Sequence, residues 1–148
     1  MLIETLKALF NRDLNKLKSE IESYNNETNL WIIDRNIANS AGNLCLHLIG
    51  NLNTYIGATL GGSNYIRNRE LEFSLKNIPK QELINMIQAT LITVTQTLEK
   101  ITEEQLNIEY PMLVLQEKTS TGFFMVHLTT HLAYHLGQIN YHRRLLDV

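Results

Sequence analysis

The stretch HLTTHLAYHLGQINYHRR, residues 127–144, holds four of the chain's five histidines, and His127, His131 and His135 repeat every four residues. On a helix, residues i and i+4 share a face with Cβ atoms about 5–6 Å apart. Two imidazoles so placed can converge on one metal ion, each nitrogen about 2.0–2.1 Å away. Residues eight apart are separated by about 12 Å of helix rise, so one ion cannot take all three. Adjacent members can pair, and a further ligand must come from elsewhere in the chain. The fifth histidine, His47, supplies it. It lies in NLCLHLIGNLNTY, where Leu44, His47, Leu48, Asn51 and Tyr55 fall on one helical face.

Three histidines leave a fourth position free for water or substrate, the arrangement of a catalytic rather than a structural site. Cys45 lies roughly opposite His47 on the helix circumference, which makes it a poor ligand and a small buried apolar residue. The bland alternative is a set of packed, hydrogen-bonded core histidines, since HxxxH alone is common on helices. Burying several imidazoles without partners is costly, however, and a metal removes that cost. His142, beside Arg143 and Arg144 in the last turn, reads as a surface residue favoured by the helix dipole.

Four segments with helical periodicity must position these residues. The first spans about Leu2 to Tyr24, with Leu6, Leu9, Phe10, Leu14, Leu17 and Ile21 on one face. Asn25, Asn26 and Asn29 mark a turn, and Leu30 to Ile33 form an apolar stretch across the end of the assembly. The second helix is expected to start near Asn39 or Ser40 and stop at Gly61-Gly62. GSNYIRNRELEFSLKNIPK has no clear period and is long enough to cross the length of a bundle. Pro79 suits the first turn of the third helix, which continues through Leu83, Ile87, Leu91, Val94 and Leu98. A TEEQL turn and the irregular arm NIEYPMLVLQEKTS lead to the fourth helix, beginning near Thr119 to Thr121. No paired strands are expected, so the fold class is all-α, a helical bundle.

The 148 residues suit one domain with no internal repeat. A formal net charge of −2 argues against a general nucleic-acid or membrane-surface binder. Charges spread through MLIETLKALFNRDLNKLKSEIESY argue against a signal-peptide core or a membrane span, and point to a cytoplasmic protein. The lone cysteine allows no internal disulfide.

NSAGNLCLHLIGNLNTYIG combined with HLTTHLAYHLGQINYHRR resembles the DinB/YfiT-like superfamily of metalloenzymes, in its DUF1572-like branch. The resemblance extends to LFNRDLNKLKSEI, YIRNRELEF and the Tyr110-Pro111 arm. It implies a four-helix bundle of up-down-down-up connectivity over residues 1–148. It also implies that the metal pair is His131 and His135, which precede Gly-Gln, with His47 completing the triad. Where the family pattern often has Arg after the last histidine, this chain has Leu136 before Gly137-Gln138. His127, Asn51, Gln138 and Tyr134 are then the expected neighbours or pocket residues, and Gly137 is expected to permit close helix packing.

The cofactor expected from the resemblance is a divalent transition metal, zinc or nickel, with a low-molecular-weight thiol as co-substrate. A divalent ion on three neutral imidazoles keeps its charge and can activate a thiol or water. Two readings follow: a thiol transferase or hydrolase acting on a small molecule, and a non-catalytic, metal-binding stress-response homodimer. No general base stands out. Glu70, Glu72 and Glu109 fall in connecting segments and read as structural or surface residues. Tyr110 and Tyr134 could approach the mouth of the site. Arg67 and Arg69 could clamp an anion, but a solvated or subunit-contacting loop is the expected account.

Overall fold

Helix α1 (Leu2–Glu22) forms where apolar residues recur every three or four positions, and it buries that stripe: Leu6, Phe10, Leu14, Leu17 and Ile21. The computed structural model describes residues 1–148 and contains no strand, only an isolated bridge between Glu109 and Ser120. After α1, Asn26 caps a short 3-10 helix, Glu27–Trp31, which buries Leu30 and Trp31. Asp147, at the far end of the chain, clamps this turn by accepting from the backbone N–H groups of Asn25 and Asn26 and from the Asn29 side chain.

Helix α2 (Ala41–Leu52) starts where expected, with the Ser40 hydroxyl accepting from the Asn43 N–H. Every residue of α2 is buried, as its nearly unbroken apolar sequence requires. It continues into a wider π-helical turn, Asn53–Ala58. Gly62, at φ +68°, then ends the run in the left-handed region that glycine adopts without strain. The following segment has no clear period in its sequence, yet Asn68 caps a short helix within it, α3 (Arg69–Ser74), which packs on α2. The Asn43 amide fixes it there by donating to the carbonyls of Glu72 and Leu75, both at 2.9 Å.

Helix α4 (Lys80–Lys100) is preceded by Pro79 at the cap rather than inside the first turn. Thr102 and Gln105 form a reciprocal capping box on α5 (Glu103–Leu106), a helix where only a turn was expected. Helix α6 (Thr121–Leu146) runs almost to the C-terminus, with Ser120 as its cap. Helix α1 packs chiefly against α4 and α6, α2 packs on α3 as well as on α6 and α4, and 30 buried hydrophobic residues form one connected cluster. Cys45 belongs to it, and burial pushes its thiol up to about 12, so it is inert as a nucleophile.

Two sequence expectations on α6 are corrected by packing. His142 is not a surface residue but 5% exposed. Its Nδ1 accepts from the Tyr24 hydroxyl at 2.7 Å and its Nε2–H donates to the Ile32 carbonyl at 2.9 Å, which ties α1, α6 and the segment after the 3-10 helix together. Gly137 does not mediate close packing, because a Cβ placed there would meet nothing within 4 Å.

Burial holds the His142 imidazole below its ordinary pKa, with the Ile32 hydrogen bond opposing in part. Between that lowered value and the unfolded value of about 6.5, the unfolded chain binds more protons than the folded one. The stability contributed by neutral His142 is therefore complete above about pH 6.5 and declines as pH falls. Thermal melts between pH 7 and 5 are expected to show a smaller acid-induced drop in Tm for His142→Gln than for the parent. An identical drop would mean that His142 does not titrate in this way.

Candidate metal centre

Helix α2 contributes His47 and α6 contributes His131 and His135, and their ligand nitrogens all lie within 4.8 Å of one another. His131 Nε2 stands 3.3 Å from His47 Nε2 and 3.1 Å from His135 Nε2. Nitrogens on a tetrahedral ion at about 2.0–2.1 Å would be separated by about 3.3–3.4 Å. The observed spacing is therefore close to that of an ion's coordination edge, and these three residues could hold one.

The opposite ring nitrogens decide which atoms face inward. His47 Nδ1–H donates to Glu72 Oε1 at 3.0 Å. His135 Nδ1–H donates to Gln138 Oε1 at 2.7 Å. Both Nε2 atoms consequently present bare lone pairs to His131. If His131 carries its proton on Nε2, it can satisfy only one of them. If it carries it on Nδ1, three lone pairs converge, and the buried Nδ1–H has no partner in the structure. Protonating the cluster is no remedy, since burial and then the neighbouring histidines push His131 down to about 4. Burial likewise lowers His135, against the opposing hydrogen bond to Gln138. A cation is the group whose chemistry fits this donor set.

Of the three carboxylates expected to be structural or surface residues, Glu72 has the structural role. It is not a surface carboxylate but 6% exposed, held between His47 and Arg67, whose Nε and Nη2 donate to it at 2.8 and 3.0 Å. Burial alone would raise its pKa, but hydrogen bonds from His47 and Arg67 and the charge of Arg67 together hold it below the ordinary carboxylate value. Arg67 is thus part of the support of the site rather than a solvated loop residue. The signal in the sequence was the need itself: a ligating imidazole requires an acceptor behind it. Glu70, Glu72 and Glu109 all qualified by position, and only the capped turn of α3 selects the middle one.

The remaining expected site residues separate clearly. Gln138 touches the site directly, through His135. His127 stacks on Phe124, with centroids 5.8 Å apart, and lies 6.4 Å from the His131 ring, so it is a neighbour without a hydrogen bond to the cluster. Asn51 is buried, and its Oδ1 has no partner. Tyr134 is 65% exposed, with its ring edge-on to His135 at 5.3 Å. Tyr110 does not reach the mouth; it is buried, and its hydroxyl donates to the Tyr55 carbonyl at 2.6 Å. Glu70 and Glu109 are exposed.

Two cavities border the cluster, one at His47 and His131 and the other at His135. A polar one of about 440 Å³ includes His47, His131, Asn51, Arg67 and Arg69 in its wall. An apolar groove of about 590 Å³ is lined by Leu44, Tyr134, Tyr141 and Leu145, with His135 and Gln138 at its edge. No helix is long and apolar enough to cross a membrane. No curated protein matches the sequence. Residues 2–147 match the family described as "Protein of unknown function (DUF1572)", and with nearly the whole chain covered, the protein belongs to that family.

Proposed function

We propose that this protein is a metal-dependent enzyme in which His47, His131 and His135 bind one divalent transition metal, zinc or nickel. The observation that carries the reading is the convergence of three Nε2 atoms at 3.1 and 3.3 Å, two of them held ligand-ready by Glu72 and Gln138. When bound, the ion would supply Lewis-acid charge to a low-molecular-weight thiol or to water, giving a transferase or a hydrolase acting on a small molecule.

The chain's own residues supply the rest. Glu72, itself anchored by Arg67, orients His47 and keeps its proton on Nδ1, so that Nε2 turns its lone pair to the cluster. Gln138 does the same for His135. Phe73, 5.0 Å from the His47 ring, closes one side of the cluster with apolar surface. The cavities on either side leave room for a further ligand.

The architecture is read as a single-domain DinB/YfiT-like bundle of four long helices, α1, α2, α4 and α6, with up-down-down-up connectivity. Support comes from the packing of α1 and α2 on the same two helices and from the long connection that carries α3. A cytoplasmic homodimer is the corresponding expectation for the assembly.

Zinc- or nickel-loaded protein, assayed with small thiols plus electrophiles and with ester substrates, is expected to turn over one class. His135→Ala should lower that rate by about 100-fold or more, as expected when the metal's Lewis acidity is lost. Protein that binds one metal per chain yet turns over nothing across both panels would instead be a non-catalytic binder.

A further inference from the structure

We propose that the polar cavity beside the histidines is the seat of a small organic anion, a carboxylate that also carries a hydroxyl or amine donor. The inference deepens the metalloenzyme reading, and rests on it in so far as the ligand lies against the metal-binding histidines.

Charge selects the anion. Two arginines border the cavity, and no acidic residue lines it. Glu72 neutralises Arg67. Arg69 has no carboxylate partner; its guanidinium lies 5.5 Å from the Phe73 ring centroid, which orients it without cancelling its charge. A bound divalent ion would add to the same sign. A concave wall with one uncompensated guanidinium and an adjacent cation focuses positive potential on its contents.

Hydrogen bonding selects the donor. Asn51 is 6% exposed, lines the cavity, and has a buried Oδ1 with no partner. Buried polar atoms are nearly always matched in native proteins, so an orphan acceptor in a cavity wall marks a place for a donor. His131, whose Nδ1 is also buried without a partner, borders the same space. A volume of about 440 Å³ suits a small molecule. The second cavity is mostly apolar; its wall has polar side chains, among them Asn36, Asn39 and Gln138, but no arginine or lysine and no buried unpartnered atom. The two cavities therefore differ in what they would accept, and the anion belongs on the Arg69 side.

Glycolate is a suitable probe, because it carries both groups, with acetate and ethylene glycol each lacking one. Isotope-labelled full-length protein, with and without zinc, would be titrated with each while the Asn51 amide and Arg69 guanidinium resonances are followed. Glycolate is expected to bind more tightly than either control and to shift those resonances. Arg69→Gln and Asn51→Ala should each weaken it by about tenfold or more, the weight of a charge-assisted or otherwise unmatched buried hydrogen bond. Arg69 is exposed, so its replacement leaves the fold intact.

Unchanged glycolate affinity in both variants, or shifts at Tyr134 and Tyr141 instead, would overturn the proposal. Zinc stoichiometry on the same samples keeps the two readings apart. Protein that takes up no zinc but binds glycolate through Arg69 and Asn51 loses the metal centre and keeps the anion site. Protein that takes up zinc but ignores glycolate does the reverse.

Discussion

Replacing His131 with alanine is expected to abolish tight divalent-metal binding. His131 Nε2 is the shared vertex of the cluster, near both His47 and His135, whose ring centroids are 5.3 Å apart. Its removal leaves two ligands on different helices with no third to close the site. Loss of an outer-sphere partner costs about 10–100-fold in metal affinity, and loss of a direct ligand should exceed that, at about 1,000-fold or more. Stability reports the same event. Metal that binds only the folded chain stabilises it by about 2.7 kcal/mol at a free concentration of 100 Kd. Calorimetric titration with zinc, and melts with and without a chelator, should show one site and a clear zinc-dependent rise in Tm for the parent. In His131→Ala both should vanish. A variant that keeps the zinc-dependent rise would show that the metal sits elsewhere.

Gly50→Ala should produce the second largest effect, although Gly50 touches no metal ligand through a side chain of its own. A Cβ at this position would fall on the Glu72 carboxylate. That carboxylate is not a free end able to swing aside, since Arg67 holds both oxygens and His47 donates to one of them. The clash must displace Glu72, and with it the orientation of His47. Overpacking of this kind destabilises by about 1–3 kcal/mol, and the better helix propensity of alanine returns at most about 1 kcal/mol. Net destabilisation is expected, together with a fall of about 10–100-fold in zinc affinity. Glu72→Gln tests the carboxylate itself: it keeps the size, loses the charge, and should lower zinc affinity. The Arg67 guanidinium left without its partner adds a destabilisation of about 3–5 kcal/mol, read as a fall in Tm. Full zinc affinity in both variants would remove Glu72 from the site.

The long helices were legible because their apolar residues repeat with the helical period and their ends carry capping residues. Ser40 and Ser120 begin α2 and α6 within the expected windows, and Gly62 ends the second helical run with the positive φ that a glycine stop implies. Shorter elements were not legible. The helix α3 spans only Arg69–Ser74, too few residues to show a period, and its place depends on Asn43, some thirty residues earlier in the chain. The π-helical turn at Asn53–Ala58 interrupts a segment whose composition reads as continuous helix.

By itself, the sequence determined which histidines could cooperate. The four-residue repeat puts neighbours on one face, and helix rise forbids one ion from taking His127, His131 and His135 together. It also placed His47 on a face with Asn51 and Tyr55, and Gln138 one turn beyond His135. Only the tertiary structure decided what stands behind and beside those imidazoles. Glu72, rather than Glu70 or Glu109, backs His47, and Arg67 backs Glu72. His142 turned inward to Tyr24 and Ile32 instead of out to solvent. The physical reason is the same in each case. A periodic pattern reports which face of a helix is buried, but hydrogen-bond partners far apart in sequence are chosen by packing, and packing is not local.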